Sequence, residues 1–136
     1  MDGILNFLPV LAHLLIGFFF LFFGFWNLYH WSPTVSLMEQ KHIPFPSVVL
    51  ALGIFTQMVC AVLIILGLYV KLAALILIVF TIVVVHIFHS FWQMEGEARQ
   101  LNFVIYLTHM TSTNGALVLL LNTIEPNYSF WAITNI

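Results

Sequence analysis

Long apolar runs alternate with short polar segments along this chain. Four of the runs are long enough to cross a membrane, because a hydrocarbon core of about 30 Å requires roughly 20 apolar residues in a helix. They cover about residues 7–29, 46–69, 72–92 and 101–122. None shows the alternation of polar and apolar residues that is typical of barrel strands. The pattern therefore predicts an all-α integral membrane protein, an antiparallel up-down four-helix bundle in a single domain over residues 1–136.

The second and third runs are separated only by a short turn. Gly67, Tyr69 and Lys71 mark it, since glycine ends helices, aromatic rings prefer the membrane interface and a cation reaches the headgroups. A turn this short predicts that the two flanking helices pack antiparallel.

The other two connections are longer and are expected on one face of the membrane. Residues 30–46 contain Pro33, which suits the first turn of a short interfacial helix, and Pro44 and Pro46, which predict an extended entry into the second span. The other connection covers residues 93–100. Aromatic residues would border this face (Tyr29, Trp31, Phe91 and Trp92) and, more sparsely, the opposite face (Tyr69, Tyr128 and Trp131).

Composition narrows the class of protein. Apolar residues make up 62% of the 136 residues and charged residues 6%, against about 25% charged in typical soluble domains. A soluble globule is excluded, and so is nucleic-acid binding, which requires a basic patch. One cysteine excludes a disulfide scaffold. Lys41 and Arg99 on one face, against Lys71 on the other, do not decide the orientation by the positive-inside rule.

Polar residues inside the spans are the candidates for function, because polar groups in lipid are costly and usually face the bundle interior or a cavity. At about 1.5 Å per residue, Gln57, His86 and His109 are expected at a similar depth. His86 and His89, at i and i+3, are expected on one helix face.

Three kinds of chemistry suit these side chains. Histidines from two helices can ligate haem iron or another metal. Neutral imidazole and amide groups can hydrogen-bond the carbonyls of a quinone or another lipid-like ligand in an apolar cleft. The same groups can also simply join helices. Haem and metal are disfavoured, since no carboxylate within the spans could support a ligand. No nucleophile–base pair, phosphate loop or carboxylate pair is visible, so no catalytic residue is predicted and enzymatic activity is left open.

Several segments resemble the DoxX family. They are the loop segments HWSPT at 30–34 and IPFP at 43–46, the turn LGLYVKLAAL at 66–75, and HIFHSFW at 86–92 followed by Gly96. The resemblance covers nearly the whole chain and implies a four-helix protein of the bacterial inner membrane with both termini in the cytoplasm. The family takes its name from a quinone-linked oxidase of thiosulfate metabolism, and many members are described as oxidoreductase-associated.

The chain departs from that family where charge is usual. His13 and Asn27 stand where the first helix often has arginine and lysine, Gln57 where glutamate is common, and His109-Met110 where a Lys-Asn pair is often seen. We therefore expect an apolar pocket for a quinone- or lipid-like ligand, lined by His86, His89, His109 and Gln57.

The expected function is that of a redox-associated accessory subunit in contact with the lipid bilayer and with other membrane subunits or further copies of the chain. The alternative is a non-catalytic structural or assembly subunit of a larger membrane complex. A carrier of small metabolites is a third possibility.

Overall fold

A computed structural model describes residues 2–122, without the side chains of residues 2 and 6. The described chain is helical, with no strand in that range. Tyr128 and Trp131, which were expected at the sparser aromatic border, lie outside the described residues. In chain order the elements are α1 (Asp2–Tyr29), α2 (Trp31–Gln40), α3 (Pro46–Leu66), α4 (Val70–Phe88), a 3₁₀ turn (Phe91–Gln93), α5 (Gly96–Thr108), a π-helix (His109–Thr113) and α6 (Asn114–Leu120).

Four helical stretches are long and apolar enough to cross a bilayer. They are Gly3–Tyr29, Pro46–Leu66, Val70–Gln93 and Gly96–Leu120, with mean hydropathies of 2.3, 2.7, 2.7 and 1.3. The predicted all-α class with four membrane spans is therefore confirmed. The fourth stretch starts five residues before the predicted span, because α5 begins with the polar turn that contains Glu97 and Arg99.

The turn after α3 ends the helix as predicted. Gly67 has φ 71° and ψ 24°, the left-handed conformation that glycine adopts without a Cβ clash. Its N–H bonds to the carbonyl of Ile64 and the next N–H, of Leu68, bonds to Leu63, which is the pairing of a Schellman cap. The antiparallel packing of the second and third spans stays a prediction.

The first connection contains the expected short helix, α2, with Pro33 in its first turn. The expected extended entry into the second span is wrong at Phe45, which has φ 49° and ψ 56°. His42 is also left-handed, with φ 58°. The chain reverses within a few residues between α2 and α3, and the left-handed Phe45 directs its carbonyl to the N–H of Val49 as the first bond of α3.

The described chain forms two compact units, residues 2–68 and residues 69–122. In the first unit α1 packs against α3. One stripe of α1 is buried at positions that repeat every three or four residues, as one face of a helix requires. It consists of Val10, His13, Gly17, Phe20 and Gly24. The two glycines bring the helices close together, because a Cβ at Gly17 would meet Ile65 and a Cβ at Gly24 would meet Met58.

In the second unit α4 packs against α6 and the π-helix. The buried stripe of α4 is almost entirely apolar, with small residues near its start, and comprises Val70, Ala73, Ala74, Leu77, Thr81 and Val85. The buried residues of α6 are Asn114, Leu117 and Leu120. Thr81 and Asn114 are therefore polar positions within otherwise apolar packing.

The outer surfaces of the spans are apolar. Phe18 is 62% exposed, and Phe22, Phe23 and Phe25 are exposed as well. An exposed apolar surface of this extent is stable only in contact with hydrocarbon. The aromatic run of α1 thus forms an exposed outer surface, with Phe20 turned inward.

Candidate functional site

The four predicted site residues are divided between the two units. Gln57 lies in the first unit, in the buried stripe of α3. Its Nε2 donates a hydrogen bond of 2.9 Å to the backbone carbonyl of Phe20 on α1. Interhelical bonds of this kind join helices within membranes. Within its own unit Gln57 therefore connects α1 to α3. Its place in a ligand pocket stays a prediction.

His86 lies within α4, whereas His89 caps the end of this helix. Helix α4 ends at Phe88, and His89 leaves the helical conformation with φ −119° and ψ 43°. Its N–H still bonds to the carbonyl of Val85, and its carbonyl accepts the N–H of Phe91, which starts the 3₁₀ turn. The ring of His86 packs on Trp92, with centroids 4.8 Å apart at 45°. The expected position of both histidines on one helix face stays a prediction.

His89 is held by a hydrogen bond to Asn102, which in turn bonds to the backbone of its own helix. Asn102 Nδ2 donates to the carbonyl of Ala98 at 2.8 Å, which leaves Asn102 Oδ1 as an acceptor. The 2.7 Å contact between His89 Nδ1 and Asn102 Oδ1 is then a bond donated by the imidazole. In the neutral ring Nε2 consequently carries the lone pair.

His109 lies beside His89 and has the same tautomer. Its Nδ1 donates to the carbonyl of Ile105 at 2.9 Å, so the lone pair of the neutral ring is again on Nε2. The two imidazole rings are 6.3 Å apart between centroids and within 20° of parallel. The second unit therefore brings together two of the predicted residues, each oriented by a bond at Nδ1.

The backbone is irregular at this point. A π-helix begins at His109, and the N–H of Asn114 bonds to the carbonyl of His109, five residues back. Thr108, just before this start, donates its hydroxyl to the carbonyl of Val104, and Thr111, just after it, donates to the carbonyl of Leu107. Such back-bonding bends helices, and π-helical turns are frequent at functional sites.

Aromatic side chains surround the end of α4 in this unit. Phe91 contacts Phe103 and Tyr106 at centroid distances of 5.0 and 5.3 Å. Trp92 contacts Tyr106 at 5.8 Å, edge to face. These contacts fix the 3₁₀ turn on α5 and make the surroundings of the two histidines apolar.

Asn102 and Tyr106 are the residues that sequence reasoning missed. Asn102 is a polar residue of the fourth span, and the sequence alone gives it no role. With Tyr106 and His109 it follows the i, i+4, i+7 spacing of one helix face. That spacing is the signal in the sequence that could have identified both residues. A polar and an aromatic residue on the same helix face as a candidate histidine are placed to contact the same neighbours.

Both units have a surface cavity. The one in the second unit has a volume of about 450 Å³ and is lined by Phe91, Gly96, Arg99, Gln100 and Phe103. The one in the first unit, about 880 Å³, follows the outer face of α1 from Phe18 to His30. His86, His89 and His109 are not among the residues that line either cavity.

This arrangement supports hydrogen bonding better than metal chemistry. No group of three or more His, Cys, Asp or Glu side chains that could hold a metal occurs among residues 2–122. A neutral imidazole with its lone pair on Nε2 accepts a hydrogen bond from a hydroxyl, and a protonated imidazole donates one to a carbonyl. The histidine pair can do either, and both are interactions that a quinol or a quinone offers.

The four apolar helices define an integral membrane protein of the all-α class. The DoxX family model matches residues 8–90. The chain belongs to the DoxX family. The match includes Gln57, His86 and His89, and ends before Asn102 and His109. No curated protein and no solved structure matches the chain.

Proposed function

We propose that this DoxX-family protein is an accessory subunit of a membrane redox process, in which His89 and His109 bind the polar ring of a quinone-type lipid. The observation that carries the proposal is the pairing of the two imidazoles, 6.3 Å apart and nearly parallel, inside a membrane span. Ionisable side chains are rare at such positions and usually serve a function there.

The fixed tautomers support a hydroxyl-bearing ligand. With both Nδ1 atoms donating to protein oxygens, each neutral ring presents an acceptor at Nε2. The reduced form of a quinone has two hydroxyl donors, so it matches an acceptor pair. The oxidised form has carbonyl acceptors and requires a protonated imidazole. Binding through this pair is therefore expected to favour the quinol when the histidines are neutral.

The surrounding side chains support a planar, apolar ligand. Trp92 and Tyr106 contact each other in the same unit as the pair, and His86 packs on Trp92. Aromatic rings prefer offset or edge contacts with other rings, worth about 0.5–1.5 kcal/mol beyond burial. In this proposal His86 orients the aromatic wall, and His89 and His109 contact the ligand.

Binding of a soluble quinol analogue to the purified protein tests the proposal. Decylubiquinol is titrated against protein in detergent under reducing conditions, and bound ligand is counted after separation. We expect saturable binding near one per chain. His89→Phe and His109→Phe keep a planar ring and lose the nitrogen acceptor. Each should weaken binding about two- to twelvefold, because a net hydrogen bond contributes about 0.5–1.5 kcal/mol.

His42→Asn is the matched control. His42 is exposed on the first connection and left-handed, a conformation that asparagine tolerates. The affinity of the His42→Asn variant for decylubiquinol should equal that of the unaltered protein. Equal affinity of the His89→Phe/His109→Phe double variant and the control would refute the proposal. So would a Soret band or one bound metal per chain in the purified protein, since either assigns the pair to a metal centre.

A structural or assembly role is the second candidate, and the outer face of α1 favours it. Phe18, Trp26 and Tyr29 are 62%, 51% and 88% exposed along the cavity of about 880 Å³. A neighbouring transmembrane helix could pack its side chains into such a cavity. Co-purification of the same membrane chains with the unaltered protein, lost in Trp26→Ala and retained in Leu52→Ala on the exposed face of α3, would support this role.

A further inference from the structure

Two buried side-chain oxygens of the second unit have no hydrogen-bond partner among the described residues, although Asn114 Nδ2 donates to Met110 Sδ at 4.0 Å. The hydroxyl of Thr81 on α4 and the side-chain oxygen of Asn114 at the start of α6 are both unpaired among the residues that the structure describes. Thr81 is 3% exposed and Asn114 is 9% exposed. Each such group costs about 1–3 kcal/mol when it stays unpaired, so both are expected to have a partner in the membrane.

The conformation of Thr81 differs from that of three other helical threonines in this chain. Thr34, Thr108 and Thr111 bond their hydroxyls to the carbonyl four residues back, at 2.7–2.8 Å. A threonine in a membrane helix usually satisfies its hydroxyl in this way. Thr81 does not bond to its own helix, so its hydroxyl is left to meet a group from outside α4.

The spacing of residues along the helices places the two side chains at a similar level of the unit. His89 bonds to Asn102 and lies beside the ring of His109, which sets the register of α4 against the fourth span. Thr81 is eight residues before His89, or about 12 Å along the helix axis. Asn114 is twelve residues after Asn102, or about 18 Å, and five residues after His109, or about 8 Å. The mean of these two distances places Asn114 about 13 Å beyond the level of His89. Since α4 packs against α6, both groups reach the same part of the interface.

We infer that Thr81 and Asn114 together hold one buried water molecule between α4 and α6. Asn114 Oδ1 is an acceptor and requires a donor, whereas the hydroxyl of Thr81 can donate or accept. A water molecule would donate one hydrogen bond to Asn114 Oδ1 and form a second hydrogen bond with the hydroxyl of Thr81. Buried waters in proteins occupy polar positions of this kind and make about three hydrogen bonds each.

The chemistry of the site favours water over a cation. Sodium and potassium are held by several oxygen ligands, and the interface offers two side-chain oxygens and no carboxylate. The π-helix that ends at Asn114 supports a small guest, because broken helical regularity frees backbone groups that waters satisfy within membranes.

Replacement of Thr81 and Asn114 by apolar residues of similar size distinguishes a pair that is bridged by water from two groups that are not bridged. Thr81→Val, Asn114→Leu and the double variant are unfolded in detergent micelles by a denaturing detergent. If a water bridges the groups, each single variant raises the unfolding equilibrium constant about two- to twelvefold, and the double variant loses less stability than the sum of the two single losses. If nothing bridges them, each single variant raises stability, which would overturn the inference.

Thr108→Val is the matched control, because Thr108 is exposed and bonds only to the carbonyl of Val104 in the structure. Thr108→Val should change the unfolding equilibrium constant by less than twofold. Replacement of sodium by choline in the buffer should change nothing. Loss of stability on that replacement would identify a cation and overturn the assignment to water.

A measurement on the unaltered protein avoids the risk that a variant does not fold. Magnetisation transfer from water to the side-chain amide of Asn114 is recorded by NMR on amide-labelled protein in nanodiscs. A cross-peak is expected and should be lost in Thr81→Val. Its absence in the unaltered protein would contradict the inference.

Discussion

Substitution of Gly17 by alanine tests the close packing of α1 on α3. A Cβ at this position would overlap Ile65 and come within 3.0 Å of the backbone carbonyl of Ala61. The side chain of Ile65 can rotate, but the carbonyl belongs to the helix itself. Gly17→Ala must therefore move α1 away from α3, whereas the same change elsewhere in the chain need not move a helix.

The expected magnitude follows from two opposing effects. Alanine stabilises a helix interior by about 0.5–1 kcal/mol relative to glycine. Overpacking against a rigid neighbour costs about 1–3 kcal/mol. The net loss of stability for Gly17→Ala is thus about 0.5–2 kcal/mol, an increase of roughly two- to thirtyfold in the unfolding equilibrium constant.

Two other glycines complete the series. At Gly24 the nearest atom to a new Cβ is Cγ of Met58, at 2.6 Å, and a flexible methionine can move, so Gly24→Ala should be close to neutral. At Gly115 nothing lies within 4 Å, so Gly115→Ala should stabilise by up to about 1 kcal/mol. Unfolding in mixed micelles, followed by tryptophan fluorescence, measures all three. A Gly17→Ala variant as stable as Gly115→Ala would refute the packing of α1 on α3.

Three further predictions concern stability and use the same unfolding measurement. Gln57→Leu removes the bond to α1 and should cost about 0.6–1.7 kcal/mol, whereas Gln100→Leu on the exposed side of α5 should not destabilise; equal losses would contradict an interhelical role for Gln57. Leu117→Ala empties a position with 0% exposure and should cost about 2–5 kcal/mol, against little for Leu119→Ala at 71% exposure. Gly67→Ala places a Cβ at φ 71° and should cost about 1–2 kcal/mol; an unchanged midpoint would show that another residue ends α3.

The spans could be predicted from the sequence because membrane burial imposes a simple rule on each helix. Length and apolarity alone locate four helices, and Gly67 locates a helix end, since its left-handed conformation is local chemistry. Phe45 shows the limit of local rules. A residue before proline prefers an extended backbone, but the reversal between α2 and α3 imposes a left-handed conformation on it.

The candidate site was predictable in its residue types and less so in its geometry. The sequence identifies His89 and His109 as polar groups within spans, and the structure brings their rings together. The sequence does not reveal that α4 ends between His86 and His89. It also does not reveal the contact of His89 with Asn102 on α5, because that contact depends on how the two helices pack.

The π-helix in the fourth span has a consequence for how this chain tolerates changes in length. Tyr106 and Asn114 are eight residues apart, which in a continuous α-helix would turn them about 80° from each other. The wider turn from His109 to Thr113 absorbs one residue and returns Asn114 to the side on which Tyr106 meets the 3₁₀ turn after α4. The fourth span thus has the form of a helix with a one-residue insertion. Deletion of Ser112 would restore a regular helix and keep both flanking faces in alignment, and the cost would fall on the position of the His109 ring.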